Sequence, residues 1–272
     1  MAITESLRLA GVTAALLVWF VSVPTAPSQA GPATPADDQA QRAFAIPVPP
    51  LQGMPRLRLW ATYYYTHEAK PAVGGIRFRD RRGRSLSDPV DARDWCLAAV
   101  QGGVRAPWSG TTVTLSLGGE GARLLVDCAR ILGDRVRGAW VGALGRSYFA
   151  RARGPLGDGV LGYRLVPLRT IAVDPSVIPF GAVLYIPEAR GVTLEVAPGV
   201  WVKHDGYFFA ADEGPNIKGE HVDMFCGMSA ESCFPDFATR SGGHSFDAYI
   251  IRDRSISTYL SKAHRPDKSR LP

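Results

Sequence analysis

From residue 164 onward the sequence is a series of short apolar runs interrupted by glycine and proline, and this pattern restricts the fold strongly. Runs of this length between turn residues are typical of β-strands, and close spacing predicts a barrel or a sandwich. No long helical period lies between them, so a parallel α/β sheet is not favoured. We therefore expect a mainly β domain over residues 163–254. The runs are YRLVPLRTIAVDP, GAVLYIPEARG, WVKHDGYFFAAD, HVDMFCG and FDAYIIRD, the last being a late strand.

The first half of the chain is less regular. LRLWATYYYT, residues 57–66, is dense in aromatic and β-branched residues and predicts a strand. SDPVDARDWCLAAVQGG offers Ser87 or Asp88 as a cap and Pro89 in a first turn, followed by an apolar face, which predicts a helix. GARLLVDCARIL fits either a second short helix or a strand. We assign residues 70–160 to a mixed α/β insertion or subdomain.

The N-terminus has the features of an export signal. Arg8 precedes the apolar stretch LAGVTAALLVWFVSVP, and Ser28 and Ala30 fit the small-residue positions before a signal-peptidase cut. Residues 1–30 are therefore predicted to be a signal peptide, which places the protein in the periplasm or cell envelope. The alternative is a permanent membrane anchor, but the stretch is shorter than the roughly 20 apolar residues that a spanning helix needs. We expect no integral membrane span after the signal is removed.

Two terminal segments lie outside the predicted domains. Residues 31–56 begin with GPATPADDQA and are rich in proline and alanine, which predicts a flexible leader. Residues 255–272 follow the last predicted strand and are assigned to a C-terminal tail. No internal repeat is evident in the sequence.

The chain is cationic, with a formal net charge of +6. A charge of this sign suits an acidic surrounding such as a cell envelope. Much of the excess lies in RFRDRRGR, residues 77–84. A basic run of this kind is usually a solvated loop, and neither an aromatic stacking pattern nor a nucleic-acid motif accompanies it. We therefore expect no nucleic-acid partner.

The four cysteines of an exported chain point to disulfides. We pair Cys226 with Cys233 because they flank a short loop. That pairing leaves Cys96 with Cys128, although four cysteines permit three connectivities. Their spacing matches no zinc pattern and no CxxC motif is present, so metal binding is the weaker explanation.

Other common catalytic and metal motifs are not evident. The histidines at 204, 221 and 244 do not have a ligand spacing. No Ser-His-Asp arrangement and no phosphate-binding glycine motif is found. We expect neither a metal nor another cofactor, and nothing in the sequence predicts an oligomeric state.

Two aspartates stand in apolar runs of the second half. Asp212 ends FFAAD and Asp223 lies within HVDMF. A chain reversal centred on Ile217 and Lys218 would bring the two flanking strands side by side and place the carboxylates within reach of each other. Like charges this close do not both ionise readily, and apolar neighbours add desolvation, so one carboxyl is expected to keep its proton toward neutral pH. Such a carboxyl is a general acid.

A structural role is the alternative for each of these residues. Aspartates at strand ends often cap a turn by accepting backbone N–H bonds. Asp174, in IAVDPSVIPFG, favours this alternative more strongly because Asp-Pro is a frequent turn starter. Lys218 could bind a carboxylate or a peptide acid, but a lysine at a hairpin tip is usually only solvated.

Three segments together resemble the 3D domain, which is named for three aspartates and is found in the MltA-like lytic murein transglycosylases. The segments are WATYYYT, RTIAVDPSVIPFGAVLYIPEARG and AADEGPNIKGEHVDMFCG. The resemblance covers roughly residues 58–66 and 163–252, and it identifies Asp174, Asp212 and Asp223 as the three aspartates. It implies a double-psi β-barrel with a substrate groove across it.

The resemblance also implies an activity on peptidoglycan glycan strands without a cofactor. The bond between N-acetylmuramic acid and N-acetylglucosamine would be cleaved to leave a 1,6-anhydro end. Two other classes stay open: a non-catalytic polysaccharide-binding module, as in expansin-like barrels, and a hydrolase that uses a second carboxylate and a water.

The resemblance assigns roles to particular residues. Asp223 takes the position of the single catalytic acid and base, and Asp212 would tune or orient it. Thr62 and Tyr64 lie on the first barrel strand and would line the groove, although a half-buried strand that packs its aromatics is an equal alternative. The candidate substrate-binding residues are Thr62, Tyr64, Asp174 and Lys218.

Overall fold

The computed structural model describes residues 44–133, 136, 138 and 140–265. The predicted signal peptide and residues 31–43 of the predicted leader lie outside this part of the chain, as do residues 266–272 of the predicted tail. The strands are β1 (Arg56–Tyr64), β2 (His67–Glu68), β3 (Pro71–Ile76), β4 (Gly103–Trp108), β5 (Thr111–Glu120), β6 (Ser147–Arg151), β7 (Thr170–Ala172), β8 (Val183–Tyr185), β9 (Thr193–Ala197), β10 (Val200–Lys203), β11 (Tyr207–Asp212), β12 (His221–Phe225) and β13 (Phe246–Ile251). The helices are α1 (Ala92–Gln101), α2 (Cys128–Leu132), α3 (Val141–Leu144) and α4 (Arg254–His264).

Six strands close into a barrel in the order β1-β12-β7-β11-β8-β13. The pairs β1–β12 and β7–β11 are parallel and the other four are antiparallel. Alternate side chains of each strand point into the barrel, where Leu59, Ile171, Phe208, Met224 and Phe246 belong to one buried core. The prediction of a mainly β fold with a barrel is confirmed, and the double-psi connection stays a prediction.

The expected hairpin between β11 and β12 is wrong. The short strand β7 lies between them and pairs with both, so these two strands are not neighbours. The connection over residues 213–220 is long enough to cross one strand, because two strand spacings amount to only about 10 Å. The central place of β7 is favoured by its composition, since Thr170, Ile171 and Ala172 are all buried.

A second lobe holds the sheet β2-β4-β5-β6 together with α1, α2 and α3. Its separate core is centred on Phe78, Trp95 and Phe149, whose rings lie 4.7 to 6.0 Å apart. Apolar residues of α1 contribute to this core, which is why the sequence there folds as a helix. The lobe therefore buries its own apolar surface, independently of the interior of the barrel.

The predicted helix is present, but it begins later than expected. Asp91 is the N-cap of α1, and its side chain accepts a hydrogen bond from the backbone N–H of Arg93. Ser87 is instead used by the preceding turn, where its hydroxyl accepts from the N–H of Phe78 at 3.0 Å. Asp88 accepts from the N–H of Ser109. Both residues that were expected to cap the helix thus make hydrogen bonds outside it.

Both predicted disulfides are confirmed. Cys96 in α1 is joined to Cys128, the first residue of α2, across 32 residues of sequence. Cys226 is joined to Cys233 across 7 residues, directly after β12. The segment GARLLVDCARIL contains the helix α2, so the helical alternative holds for its last residues.

The described part of the predicted leader contacts the barrel. The Phe44 ring lies over the guanidinium of Arg169, with 4.2 Å between Cζ and the ring centre. The N–H of Ile46 donates to Asp205 Oδ2 at 3.1 Å, and the Tyr207 hydroxyl donates to the carbonyl of Pro47 at 2.8 Å. Residues 44–55 therefore differ from the flexible leader expected, because buried barrel groups supply their partners.

The predicted C-terminal tail also contains ordered structure. The helix α4 begins at the N-cap Asp253, whose side chain accepts from Ser255 and Ile256, and it buries Leu260 and His264. His264 contacts Thr170 Oγ1 at 3.1 Å from its Nε2. No helix within residues 44–133, 136, 138 and 140–265 combines the length and the apolar character needed to cross a membrane.

Candidate active site

Four residues occupy one row across four adjacent barrel strands. Thr62 of β1 pairs with Asp223 of β12, Asp223 pairs with Ala172 of β7, and Ala172 pairs with Asp212 of β11. Residues opposite each other in a sheet point to the same face, so both carboxylates and the Thr62 hydroxyl share the outer face of the barrel. Two strand spacings separate the Cα atoms of the aspartates by roughly 10 Å.

An irregularity in β11 is what turns Asp212 to this face. The register between β11 and β7 shifts between Ala210 and Asp212, so Asp212 rather than Ala211 stands opposite Ala172. In a regular ladder Ala211 would take that place and Asp212 would point into the barrel. A bulge that redirects one side chain is common beside functional sites.

Each carboxylate is bound by a hydroxyl group of β1. Thr62 Oγ1 lies 2.7 Å from Asp223 Oδ1, and the Tyr64 hydroxyl donates to Asp212 Oδ2 at 2.7 Å. Thr62 and Tyr64 are two positions apart and therefore lie on the same face of the strand. The sequence-predicted residues Thr62, Tyr64, Asp212 and Asp223 are thus brought together.

A cluster of buried, mostly apolar residues lies beside the two acids. Tyr64, Leu165, Ala172, Ile217 and Phe225 form one cluster of buried residues. The Tyr64 and Phe225 rings are 5.1 Å apart. Both carboxyls are half-buried beside this cluster, so they are poorly hydrated.

Burial raises the pKa of both carboxyls. For Asp223 the loss of hydration raises the pKa to about 7, with a further increase from the charge of Asp212 and an opposing effect of Thr62. For Asp212 burial also raises the pKa to about 7, against the hydrogen bond from Tyr64. Desolvation is the dominant cause for both, whereas the sequence argument gave first place to repulsion between the pair. Neither forms an ion pair with a described residue.

His221 is a site residue that the sequence argument considered only as a metal ligand. Its ring stacks on Trp60, with 3.7 Å between centres and 5° between planes. Its Nε2 lies 2.8 Å from Thr62 Oγ1, and its Nδ1 lies 3.2 Å from the carbonyl oxygen of Asn216. The signal was available, because positions 221 and 223 of one strand face the same side.

Asp174 does not join the row. Its Oδ1 accepts from the N–H and the hydroxyl of Ser176, and its Oδ2 accepts from the N–H of Gly219 at 2.8 Å. These bonds, led by that of Gly219, lower the pKa of Asp174 to about 2. The carboxylate therefore ties the turn after β7 to the loop between Asp212 and Asp223.

Lys218 is exposed in that loop, and its charge contributes to the low pKa of Asp174. No contact of Lys218 with either carboxylate of the row is present among the described residues. The described residues also contain no group of three or more His, Cys, Asp and Glu side chains placed to hold a metal ion.

A second buried acid lies elsewhere on the barrel. Asp205 and Arg169 form a two-point ion pair, Nη1–Oδ1 at 2.6 Å and Nη2–Oδ2 at 2.8 Å, with side chains 2% and 1% exposed. Asp205 also accepts from the N–H of Tyr207. Sequence reasoning missed this pair, although an arginine inside an apolar run, LVPLRTIAV, was its signal.

The barrel thus carries two poorly hydrated carboxyls on one face, and each of them is hydrogen-bonded to a hydroxyl group of β1. Residues 169–250 match the family described as the 3D domain. The chain therefore carries a 3D domain, and the resemblance noted in the sequence is confirmed for this segment. The segment includes Asp174, Asp212 and Asp223, but Thr62 and Tyr64 lie outside it.

Solved structures similar to the chain include three transglycosylases. The membrane-bound lytic murein transglycosylase from Agrobacterium tumefaciens is 18% identical with a TM-score of 0.47, covering 75% of this chain and 78% of that one. E. coli MltA with bound chitohexaose is 21% identical with a TM-score of 0.43, covering 71% of each chain. The lytic transglycosylase LtgG of Burkholderia pseudomallei is 21% identical with a TM-score of 0.36, covering 72% and 71%. No curated protein sequence matches the chain.

Proposed function

We propose that this protein is a peptidoglycan lytic transglycosylase, exported to the periplasm or cell envelope, with Asp223 as its acid and base. The observation that carries the proposal is the state of Asp223: a half-buried carboxyl that forms no ion pair with the described residues, with a pKa raised to about 7. Such a group holds a proton near neutral pH and can release it, which is what a general acid requires. The 3D domain over residues 169–250 supports the same assignment.

The proposed reaction uses one carboxyl twice. Asp223 gives its proton to the oxygen of the bond between N-acetylmuramic acid and N-acetylglucosamine, and that bond breaks. The resulting carboxylate takes the proton of the muramoyl C6 hydroxyl while O6 bonds to the anomeric carbon of the same sugar. The product has a 1,6-anhydro end, Asp223 is protonated again, and no water is consumed.

The neighbouring residues support both steps in this proposal. Thr62 can donate to the Asp223 carboxylate or accept from its acid form, because a hydroxyl does both. Asp212, held by Tyr64, adds negative charge when it is ionised, and this charge helps Asp223 to keep its proton. Asp174 fixes the loop that joins the two acidic strands.

A hydrolase is the second candidate, and the row geometry is its support. Inverting glycosidases hold two carboxyls about 6.5–9.5 Å apart, with a water between sugar and base. Two strand spacings separate the Cα atoms of Asp212 and Asp223 by roughly 10 Å, and the two carboxyls lie on the same face of the sheet, so there is room for a sugar and a water between them. This mechanism would use Asp212 as the base and would leave a reducing end.

The test is digestion of purified sacculi followed by mass spectrometry of the products. The transglycosylase predicts anhydro-muropeptides from the wild type and a strongly reduced release of them from Asp223→Asn. The matched control is Asp247→Asn, which changes an acid of β13 that pairs with Arg56 and Arg58 at the surface. Reducing ends in place of anhydro ends would assign the hydrolase, and binding to sacculi without any product would assign the binding module.

A further inference from the structure

The contacts of Thr62 restrict the positions of nearby protons. Thr62 Oγ1 lies 2.7 Å from Asp223 Oδ1 and 2.8 Å from His221 Nε2. His221 Nδ1 faces the carbonyl oxygen of Asn216, which can only accept, so Nδ1 carries a proton. The Thr62 hydroxyl has one proton and can donate to only one of its two neighbours.

When Asp223 and His221 together carry one titratable proton, two arrangements satisfy all these contacts. In the first, protonated Asp223 donates to Thr62, and Thr62 donates to Nε2 of neutral His221. In the second, protonated His221 donates to Thr62, and Thr62 donates to the Asp223 carboxylate. The two differ only by the position of one proton along this chain of three residues. With neutral His221 and ionised Asp223, one contact is lost, because Thr62 then has two acceptors and one proton.

We propose that His221 is a positioning residue that shares one proton with Asp223 through the hydroxyl of Thr62. This inference rests on the proposed function, in which Asp223 starts as an acid. Neutral His221 accepts a hydrogen bond from the Thr62 hydroxyl. A lone pair of Thr62 Oγ1 is then available to accept a hydrogen bond from the O–H of Asp223. When Asp223 has protonated the leaving oxygen, the Thr62 hydroxyl turns to the new carboxylate, and the C6 hydroxyl later returns the proton.

The surroundings of His221 favour the first arrangement at rest. The ring is buried against Trp60, and burial lowers the pKa of His221, whereas that of Asp223 is raised. Substitutions at position 62 alone leave all other charges in place, so they isolate the shared proton. The titratable and charged groups around this site are Tyr64 on β1, Asp212 on β11, Asp174 after β7, and Glu213, Lys218 and Glu220 in the connecting loop.

A pair of Thr62 variants tests the proposal by NMR. In the wild type and in Thr62→Ser, which keeps the hydroxyl, the Asp223 carboxyl carbon and the His221 ring nitrogens should show the same two midpoints, as coupled groups do. In Thr62→Val, which keeps the shape, the midpoint of the His221 nitrogens should no longer appear in the Asp223 titration, while the coupling of Asp223 to Asp212 stays. The alkaline limb of the pH–rate profile should move in Thr62→Val and stay in place in Thr62→Ser.

An Asp223 titration that is the same in Thr62→Val and in the wild type would overturn the proposal. His221→Gln is a second variant, since its amide oxygen can accept from Thr62 but cannot be protonated. In this variant the Asp223 titration should match that in Thr62→Val, and an Asp223 titration like that of the wild type would also contradict the shared proton. The NMR measurement needs no substrate, so it can be interpreted even if sacculi are not cleaved.

A separate observation concerns the arginines of the second lobe. Two neighbouring concavities of about 740 and 880 Å³ share Asp80, Arg81 and Tyr148 in their linings, and together they are here called the arginine cleft. Its lining contains no lysine, and its acids are Asp80 and Glu120. Eight positive and two negative side chains give it the same net charge as the whole chain, +6. The arginines are Arg77, Arg79, Arg81, Arg82, Arg84, Arg123, Arg146 and Arg151.

The loop over residues 77–84 has a defined conformation that is held by hydrogen bonds to Asp80, so it is not merely a solvated segment. Asp80 Oδ1 accepts from the backbone N–H groups of Arg82 and Arg84, and Asp80 Oδ2 accepts from Arg84 Nε at 2.6 Å. The side chains of Arg81, Arg82 and Arg123 are exposed and make no hydrogen bond or ion pair with the described residues. Guanidinium groups bind phosphate and carboxylate oxygens in a two-point geometry.

We infer that the arginine cleft binds a linear polymer that bears phosphate or carboxylate groups. A concave surface lined by several arginines suits a chain with repeated charges better than a single ion. Eight arginines against two acids concentrate positive charge at this place, and such a concentration attracts an anionic polymer. This inference does not depend on the activity proposed for Asp223.

Binding of labelled polymers tests this inference. Inorganic polyphosphate and poly-L-glutamate, titrated at low and high salt, should bind the wild type, with weaker binding as salt rises. The triple variant Arg81→Gln, Arg82→Gln, Arg123→Gln should lose about tenfold or more in affinity for the better polymer. The charge-matched control is Arg252→Gln, Arg254→Gln, Arg265→Gln, at exposed positions beside and in α4.

The comparison of the two polymers shows whether phosphate or carboxylate is the preferred group. Equal losses in the triple variant and its control would overturn the inference, because net charge alone would then explain binding. Tighter binding of a single-stranded oligonucleotide than of either base-free polymer would also overturn it in favour of nucleic acid.

Discussion

The barrel buries acids in two ways. Asp205 is paired with Arg169 through two hydrogen bonds and is fully buried, whereas Asp223 is half-buried and has the hydroxyl of Thr62 as its partner. A cation compensates the lost hydration of a carboxylate, but a hydroxyl does so only in part. Asp205 is thereby a fixed structural charge, while the pKa of Asp223 is raised to about 7 and its proton can be exchanged.

The difference shows that the partner, rather than burial alone, decides what a buried acid does. An acid beside an arginine contributes to folding and takes no part in proton transfer. An acid beside a hydroxyl costs stability once it ionises, but it can give up and regain a proton. Four measurements can break or sharpen this contrast.

The largest expected effect is on the rate of product formation in Asp223→Asn. Removal of a general acid lowers rates by about 10²–10⁴-fold. The rate of anhydro-muropeptide release should fall by that amount, while the free energy of unfolding in urea at pH 6 should not decrease. A destabilised variant would show that Asp223 is a structural acid like Asp205.

Asp205→Asn should have the opposite profile. Removing one partner of a buried ion pair leaves Arg169 uncompensated and costs about 3–5 kcal/mol. Urea unfolding followed by circular dichroism measures this loss. If Asp205→Asn unfolds with the wild-type midpoint, the ion pair does not stabilise the fold as its geometry indicates.

The third effect is a pH dependence. Because the folded-state pKa of Asp223 is raised above its unfolded value, its contribution to stability is fully present below about pH 4 and is lost as pH rises through about 7. Relative to the wild type, Asp223→Asn should therefore gain roughly 1–3 kcal/mol between pH 5 and pH 8, a range reduced for partial exposure.

This comparison between variants removes the effect of ionisable groups that are remote from Asp223. The buried histidines His204 and His264 have lowered pKa values, so their contribution is lost as pH falls below about 6.5, which is the opposite sign. They are the same in both proteins and cancel in the difference. A difference in unfolding free energy that is independent of pH would contradict the raised pKa of Asp223.

The smallest effect is expected from Phe44→Leu. The aromatic face of Phe44 lies over the Arg169 guanidinium, and the loss of that cation–π contact costs about 0.5–2 kcal/mol. Thermal unfolding should show a correspondingly small decrease. Phe44→Tyr, which keeps the aromatic face, is the matched control, and equal losses in both would mean that the ring contributes only by packing.

Much of the fold could be predicted from local patterns. The alternation in LRLWATYYYT and HVDMF indicates strands, and the apolar face after Pro89 indicates a helix, because these periods depend only on neighbouring residues. The order of strands could not be predicted in this way. A polar loop between two strands favours a hairpin, and the place of β7 between β11 and β12 depends on contacts across more than thirty residues.

The site was predictable to a similar extent. The sequence resemblance selected Asp212, Asp223, Thr62 and Tyr64, which the structure brings onto one face. The bulge that turns Asp212 outward leaves no mark in the sequence, since Ala210 and Ala211 are the same residue type. The contact between His221 and Thr62 joins strands that are distant in sequence, so only tertiary structure reveals it.

Ala172 has a consequence that its own chemistry does not suggest. It stands between the two acids and packs in the same cluster as Tyr64, whose side chain must pass over β12 and β7 to reach Asp212. A methyl group leaves that passage open. A branched side chain at this position would obstruct the path and keep the Tyr64 hydroxyl from reaching Asp212. The small size of residue 172 on β7 thus influences the protonation of a carboxyl on β11.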